Sequence, residues 1–217
     1  SEEKEGAYNP YALQAVQSGY IVIAPAWWGW PGRTGHLQRV GQRDQCNVIQ
    51  MAASMYGLNV IALHAQDAQE AIDVLAARPD VDADRIGCIG NSYGGRTTMW
   101  FTILDERIRV SVAAGCMNTF RERSMGLYGC AIQYPFGLLQ YADVPDLFCS
   151  IAPRPLQLQS GEGDPLINDD DRDMIHEMVR GAYECTGASE KYSFAQHSEG
   201  HRLVWEPARD FLREHLG

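Results

Sequence analysis

A glycine-framed serine is the first feature of this sequence that could do chemistry. Residues 90–94 read GNSYG, so that Gly90 and Gly94 flank Ser92 in the pattern G-x-S-x-G. The apolar run RIGCIG comes before the serine, and GGRTTMWFTIL, which is compatible with a helix, follows it. A serine on a tight turn between a strand and a helix is the setting of a nucleophile elbow, where we expect a side chain at Gly90 or Gly94 to collide with its surroundings. The pattern predicts that Ser92 is a nucleophile and that the Tyr93 N–H stabilises an oxyanion.

Such a serine needs a base to take its proton, and the base needs a carboxylate to orient it. Asp164 follows the apolar run PLQLQSG, and His201 lies between the last apolar run and the last helical pattern. We therefore predict that Asp164 and His201 complete a triad with Ser92. Glu162 is the nearby rival for the acid and His197 for the base, whereas the other four histidines lie in a loop or on predicted helices.

Two other interpretations of these residues remain open. Ser92 could merely cap the helix that follows it. His197, Glu199 and His201 could hold a zinc ion, although they lack the H-E-x-x-H order that places two imidazoles on one helix face. We predict no metal and no cofactor.

The elements that must position these residues alternate along the chain. Short apolar runs, typical of strands buried on both faces, occupy residues 20–25, 85–90, 109–115, 155–161 and 191–196. Helical patterns lie at residues 9–18, about 60–77, about 95–104, about 169–185 and 203–216. The alternation predicts one α/β domain over residues 1–217, with a mostly parallel sheet covered by helices on both faces.

Two aromatic-rich stretches, at about 26–58 and 117–150, interrupt the alternation. Long loops in a compact domain are usually functional, and open α/β folds bind ligands at the carboxyl ends of their strands. We predict that aromatic residues of these stretches contact the substrate, namely Trp27, Trp28, Tyr134 and Phe136.

Composition excludes some partners. The 217 residues carry 18 Lys and Arg against 28 Asp and Glu, and the formal charge of −10 disfavours nucleic acid. No apolar run approaches the roughly 18 residues of a membrane span. The six cysteines, without a CxxC pair, are predicted to be free thiols, which favours a reducing, cytoplasmic compartment. The first residues show no signal-peptide pattern, and the localisation stays open.

The whole chain resembles the α/β-hydrolase superfamily, because the segments GNSYGG, SGEGD and EGH follow one another in the order that is typical of that superfamily. Within it, SGYIVIAP, GNSYGG and DLFCSIAPRPLQLQSGEGD are similar to the dienelactone hydrolase-like branch that includes acetyl xylan esterase-like proteins. The resemblance implies a serine carboxylic ester hydrolase that acts on small-molecule or saccharide esters, such as acylated sugars. Ser92 would attack, His201 would carry the proton, Asp164 would orient His201, and water would release the acyl group.

The chain departs from the family pattern at its start. SGYIVIAP matches the fourth strand of the pattern, and the family order places a third strand between it and RIGCIG. That missing strand also leads to the loop with the second oxyanion N–H. We therefore expect residue 1 not to be the native start, and a preceding segment or second chain to complete the sheet.

Two further functions compete with the esterase. The first is a peptidase of the prolyl oligopeptidase type, whose elbows also read G-x-S-x-G-G. The second is a binding protein that kept the fold and lost catalysis.

Overall fold

The computed structural model describes residues 10–30, 33, 45–126 and 129–217. Four parallel strands form one sheet in the order β1-β2-β3-β4. They are β1 (Ile86–Asn91), β2 (Ile108–Ala114), β3 (Leu156–Gly161) and β4 (Tyr192–His197). The α-helices are α1 (Tyr11–Gln17), α2 (Gln45–Met55), α3 (Val60–Ala76), α4 (Tyr93–Leu104), α5 (Phe120–Gly126), α6 (Val144–Cys149), α7 (Asp169–Cys185) and α8 (Trp205–Leu216).

The side chains of β2 show how the sheet is buried on both faces. Val110, Val112 and Ala114 pack into a core with α1 and α8, whereas Ala113 packs into a second core with α4, α6 and α7. Successive side chains of a strand point to opposite faces, so a strand between two helical layers must be apolar at nearly every position. The predicted parallel sheet with helices on both faces is confirmed.

The five helical patterns correspond to α1, α3, α4, α7 and α8. Three helices were not predicted, and all lie in the two aromatic-rich stretches: α2 in the first, and α5 and α6 in the second. These stretches are therefore partly helical rather than open loops.

The predicted strand at residues 20–25 is wrong. This segment has no regular secondary structure, and Ile21, Val22 and Ile23 are 36–43% exposed. A strand needs an adjacent strand for its backbone hydrogen bonds, and no described strand lies beside this segment. Between it and β1 lies a largely apolar cavity of about 640 Å³. The cavity lies where the family order places the third strand.

The prediction of six free thiols is also wrong. Cys46, on α2, and Cys130 form a disulfide with a Cα–Cα distance of 5.8 Å. Beside it, the Ala131 N–H donates to the Asn47 side-chain oxygen at 2.8 Å. The two aromatic-rich stretches are thus joined, and Cys46 and Cys130 no longer favour a reducing compartment. The other four cysteines are free.

No single helix in the described ranges is long and apolar enough to cross a membrane. Only α2 and α3 taken together reach the required length and composition, and they meet at a bend of 99°.

Candidate functional site

Ser92 has the backbone of a nucleophile elbow. It lies between β1 and α4 with φ 60° and ψ −120°, the only positive φ of a non-glycine residue in the described ranges. Such a conformation costs about 1–3 kcal/mol and persists only where the surroundings enforce it. Here the Ser92 N–H donates to the Ala114 carbonyl at the end of β2, at 2.8 Å. The Ser92 side chain makes no capping hydrogen bond to α4, so the capping interpretation has no support.

Two glycines make the elbow possible, and only one of them, Gly90, belongs to the predicted pair. A Cβ on Gly90 would lie 2.2 Å from the Gly94 carbonyl oxygen, and one on Gly95 would lie 2.5 Å from the Ala114 carbonyl oxygen. A Cβ on Gly94 would meet only the Tyr11 hydroxyl, at an ordinary 3.7 Å. The expected collision is therefore confirmed at Gly90 and wrong at Gly94, because the packing of α4 against β2 occurs at Gly95.

We expect Gly95→Ala to destabilise the protein by about 1–3 kcal/mol, because backbone atoms of β2 or α4 must move. Gly94→Ala removes a flexible residue from a helix and is expected to be neutral or stabilising by up to about 1 kcal/mol. Urea unfolding of both variants measures the difference. Equal effects of the two substitutions would contradict this account of the elbow.

Asp164 and His201 meet beyond the carboxyl ends of β3 and β4. His201 Nδ1 lies 2.6 Å from Asp164 Oδ2, and Asp164 Oδ1 accepts the Leu166 N–H at 2.9 Å. Burial, the largest influence, opposes ionisation of Asp164, but the hydrogen bonds from His201 and Leu166 outweigh it and lower its pKa. The carboxylate is thus held charged beside the imidazole, which suits an orienting acid.

The other ring nitrogen of His201 is not used by another described group. His201 Nε2 is buried and has no hydrogen-bond partner in the described part of the chain. Ser92, Tyr93 and His201 line one cavity of about 230 Å³. When the Asp164 carboxylate accepts the Nδ1 proton, Nε2 is left as the basic nitrogen. A serine hydroxyl and a basic nitrogen therefore belong to residues that line the same cavity.

The rival residues are placed differently. His197 Nδ1 accepts the Glu199 N–H at 3.2 Å, and Glu162 is exposed, with its backbone N–H bound to the His197 carbonyl. The structure brings Asp164 to His201 rather than to His197.

The side chain of Tyr93 is held by a histidine that the sequence did not single out. The Trp28 N–H donates to His64 Nε2 at 3.1 Å, so that Nδ1 carries the proton and donates to the Tyr93 hydroxyl at 2.6 Å. The ring of Trp30 stacks on that of Tyr93, with centroids 5.2 Å apart. These contacts position the residue whose N–H is predicted to stabilise the oxyanion.

The buried His64 makes stability depend on pH. Burial, the main cause, lowers its pKa from 6.5 to about 4. Because the unfolded chain binds this proton more readily, the folded state loses stability as the pH falls from about 6.5 through about 4. Between pH 7 and about pH 4.5 we expect the wild type to lose about 2 kcal/mol more than His64→Gln, as measured by urea unfolding. The same pH dependence in both proteins would refute this role of His64.

Two arginines, also missed in the sequence, line the cavity with Ser92 and His201. Arg96 lies on α4 and Arg123 on α5. Arg96 follows Ser92 by four residues, and this helical spacing was the available signal. No comparable signal marked Arg123.

The four predicted substrate-binding aromatics lie outside this cavity. Trp27 packs against His64, and the Trp28 Nε1–H donates to Asp67. Tyr134 packs edge-on against Phe120, and Phe136 is 66% exposed. Their contact with substrate remains a prediction.

The chain is similar to known proteins in sequence. The Prolyl oligopeptidase family (Peptidase_S9) matches residues 62–122, which include β1, the elbow and β2. "Putative hydrolase YtaP" of Bacillus subtilis (strain 168) is 28% identical over 214 residues, covering 95% of this chain and 68% of that protein.

Solved structures of two esterases share the fold. One is a "putative acetyl xylan esterase" of Bacteroides fragilis NCTC 9343, with a TM-score of 0.71, 20% identity and 85% of this chain covered. The other is the glucuronoyl esterase of Solibacter usitatus, with a TM-score of 0.63, 20% identity and 74% covered. The match spans 49% and 50% of those two chains. Elbow, sheet and relatives together show that the chain is a member of the α/β-hydrolase superfamily.

Proposed function

We propose that this chain is a serine carboxylic ester hydrolase that works through an acyl-enzyme, with acylated sugars as a substrate class. The observation that carries the proposal is the Asp164–His201 pair, whose remaining nitrogen shares a cavity with Ser92 on a strained elbow. YtaP is named as a hydrolase, and the two structural neighbours are named as esterases. Both kinds of relative support the proposal.

In the proposed mechanism, His201 Nε2 removes the proton of the Ser92 hydroxyl as its oxygen attacks the ester carbonyl. The Tyr93 N–H, at the first position of α4, has no described acceptor and stabilises the negative oxygen of the tetrahedral intermediate. His201 then gives the proton to the departing alcohol, and a water molecule, activated in the same way, releases the acid. Asp164 keeps the imidazole in the correct tautomer throughout.

Reaction of Ser92 with a fluorophosphonate tests this function. We expect full labelling of the wild type, none of Ser92→Ala and strongly reduced labelling of His201→Ala. Wild-type protein that stays unlabelled would refute the proposal and favour a binding protein that kept the fold without catalysis.

A peptidase of the prolyl oligopeptidase type is the second candidate, favoured by the family match over residues 62–122. The two candidates differ in the bond that they cleave. We expect hydrolysis of a nitrophenyl acetate and none of a proline nitroanilide. The reverse result would establish the peptidase.

A further inference from the structure

Two arginines line the same cavity as the proposed nucleophile. Arg96 lies on α4, one helical turn after Ser92, and only 2% of its surface is exposed. Arg123 is on α5 and half-buried. Both line the cavity of about 230 Å³ that Ser92 and His201 share. A cavity of this size therefore combines a nucleophile, a base and two positive charges.

The partners of Arg96 leave part of its charge uncompensated. Its Nη2 donates to the backbone and side-chain oxygens of Asn118, and its guanidinium lies 4.8 Å from the centre of the Phe120 ring. Its Nη1 is buried without a hydrogen-bond partner in the described part of the chain. A buried polar group without a partner, above all on a cation, is costly to the folded state.

Neither arginine forms an ion pair with a described carboxylate. Arg123 Nη1 donates to the carbonyl of Leu166, at 3.2 Å. Asp143 is near enough to influence Arg96, but its oxygens accept backbone N–H groups at the starts of α5 and α6. The carboxylate of Asp164 is already bound to His201. The carboxylates of Asp143 and Asp164 therefore serve other groups, whereas Glu122, next to Arg123, has one buried oxygen without a hydrogen-bond partner in the described part of the chain.

Arg96 nevertheless stays cationic at neutral pH. Burial, the main cause, lowers its pKa to about 10, and the positive charge of Arg123 acts in the same direction. An anion in the cavity would pair with both guanidinium groups and relieve their mutual repulsion. Guanidinium N–H groups fit the two oxygens of a carboxylate.

We infer that the ester substrate carries a free carboxylate on its acyl group, and that Arg96 and Arg123 bind this carboxylate. The inference rests on the proposed function. We assign the carboxylate to the acyl group rather than to the alcohol. The acyl group is bonded to Ser92 after the first step and must fit the cavity until water releases it, whereas the alcohol leaves in the first step. Hemiesters of short dicarboxylic acids are the simplest members of this substrate class.

A pair of matched methyl esters tests the inference with the whole chain. Monomethyl succinate carries the carboxylate, and in methyl isocaproate an uncharged isopropyl group of similar shape replaces it. We expect kcat/KM of the wild type to favour monomethyl succinate by about tenfold or more, the usual effect of a hydrogen bond to a charged group. In Arg123→Gln we expect this ratio to fall by about tenfold. Arg96→Lys, which keeps the charge but loses the planar fork, should also lower it.

Arg121→Gln is the matched control, since Arg121 lies on the same helix with an exposed side chain and does not line the cavity. We expect its ratio to equal that of the wild type. Fluorophosphonate labelling separates the two possible failures. A wild type that is labelled but hydrolyses both esters equally well would overturn the inference alone, as would an equal change of the ratio in Arg121→Gln and Arg123→Gln. An unlabelled wild type would overturn the proposed function.

Discussion

Asp164→Asn is expected to lower kcat for ester hydrolysis by roughly 10³- to 10⁴-fold while the protein stays folded. The reason lies in the two hydrogen bonds of the carboxylate. Asp164 Oδ1 accepts the Leu166 N–H, and Oδ2 faces His201 Nδ1. In the variant, the amide oxygen takes the place of Oδ1, because only an oxygen can accept the Leu166 N–H. The amide NH₂ then faces His201.

This orientation reverses the tautomer of the base. An NH₂ group donates to Nδ1, so the imidazole must carry its proton on Nε2. A protonated, neutral Nε2 cannot accept the proton of Ser92, and the attack on the ester loses its base. The loss should appear in kcat and in the rate of fluorophosphonate labelling, while thermal unfolding shows that the fold persists.

Glu162→Gln provides the comparison. Glu162 is two residues away and was the rival acid from the sequence, but its side chain is exposed. We expect this variant to keep wild-type kcat. A large loss in Glu162→Gln together with a small one in Asp164→Asn would show that the acid has been misassigned.

The sheet could be predicted from the sequence because each of its strands is a short run rich in apolar residues between polar turns. The signal is strongest at the inner strand β2, which is buried at six of its seven positions between two helical layers. The helices that cover the sheet were predicted from apolar residues at helical spacing. Each of these signals is local, and each agrees with the structure within a few residues.

The segment 20–25 does not form the strand that its composition predicts. YIVIAP has the composition of a buried strand, but pairing depends on a neighbouring strand, and composition does not report whether one is present. A helix satisfies its own backbone, whereas a strand cannot. This difference explains why the five helical patterns agree with the structure while one of the five strands does not.

The part of the candidate site that follows from the order of strands along the chain could be predicted from the sequence. Asp164 and His201 each follow a strand, and parallel strands end at the same edge of the sheet. The contacts of His64 and Arg123 depend instead on how helices α3 and α5 pack, which no local spacing encodes. His64 reaches a tyrosine 29 positions away in the chain, and Arg123 a carbonyl 43 positions away.

The largest backbone effect is expected at Gly161, the last residue of β3. A Cβ there would lie 1.9 Å from the carbonyl oxygen and 2.7 Å from the Cα of Gly200. Gly200 has φ 64° and directly precedes His201. The added methyl group therefore cannot be accommodated unless the loop that carries the base moves away from β3.

We expect Gly161→Ala to lower kcat/KM for a nitrophenyl acetate by about 10²-fold, since a shift of about 1 Å in a catalytic group can cost that much. Labelling of Ser92 should slow to a similar extent, because the displaced His201 is the base that activates Ser92, whereas the serine and its elbow are unchanged.

Gly181→Ala is the control. Gly181 lies within α7, and a Cβ added there would meet no atom within 4 Å outside its own helical turns. That variant should keep full activity and gain up to about 1 kcal/mol of stability. If Gly161→Ala hydrolyses the ester at the wild-type rate, the close contact between β3 and the His201 loop does not position the base.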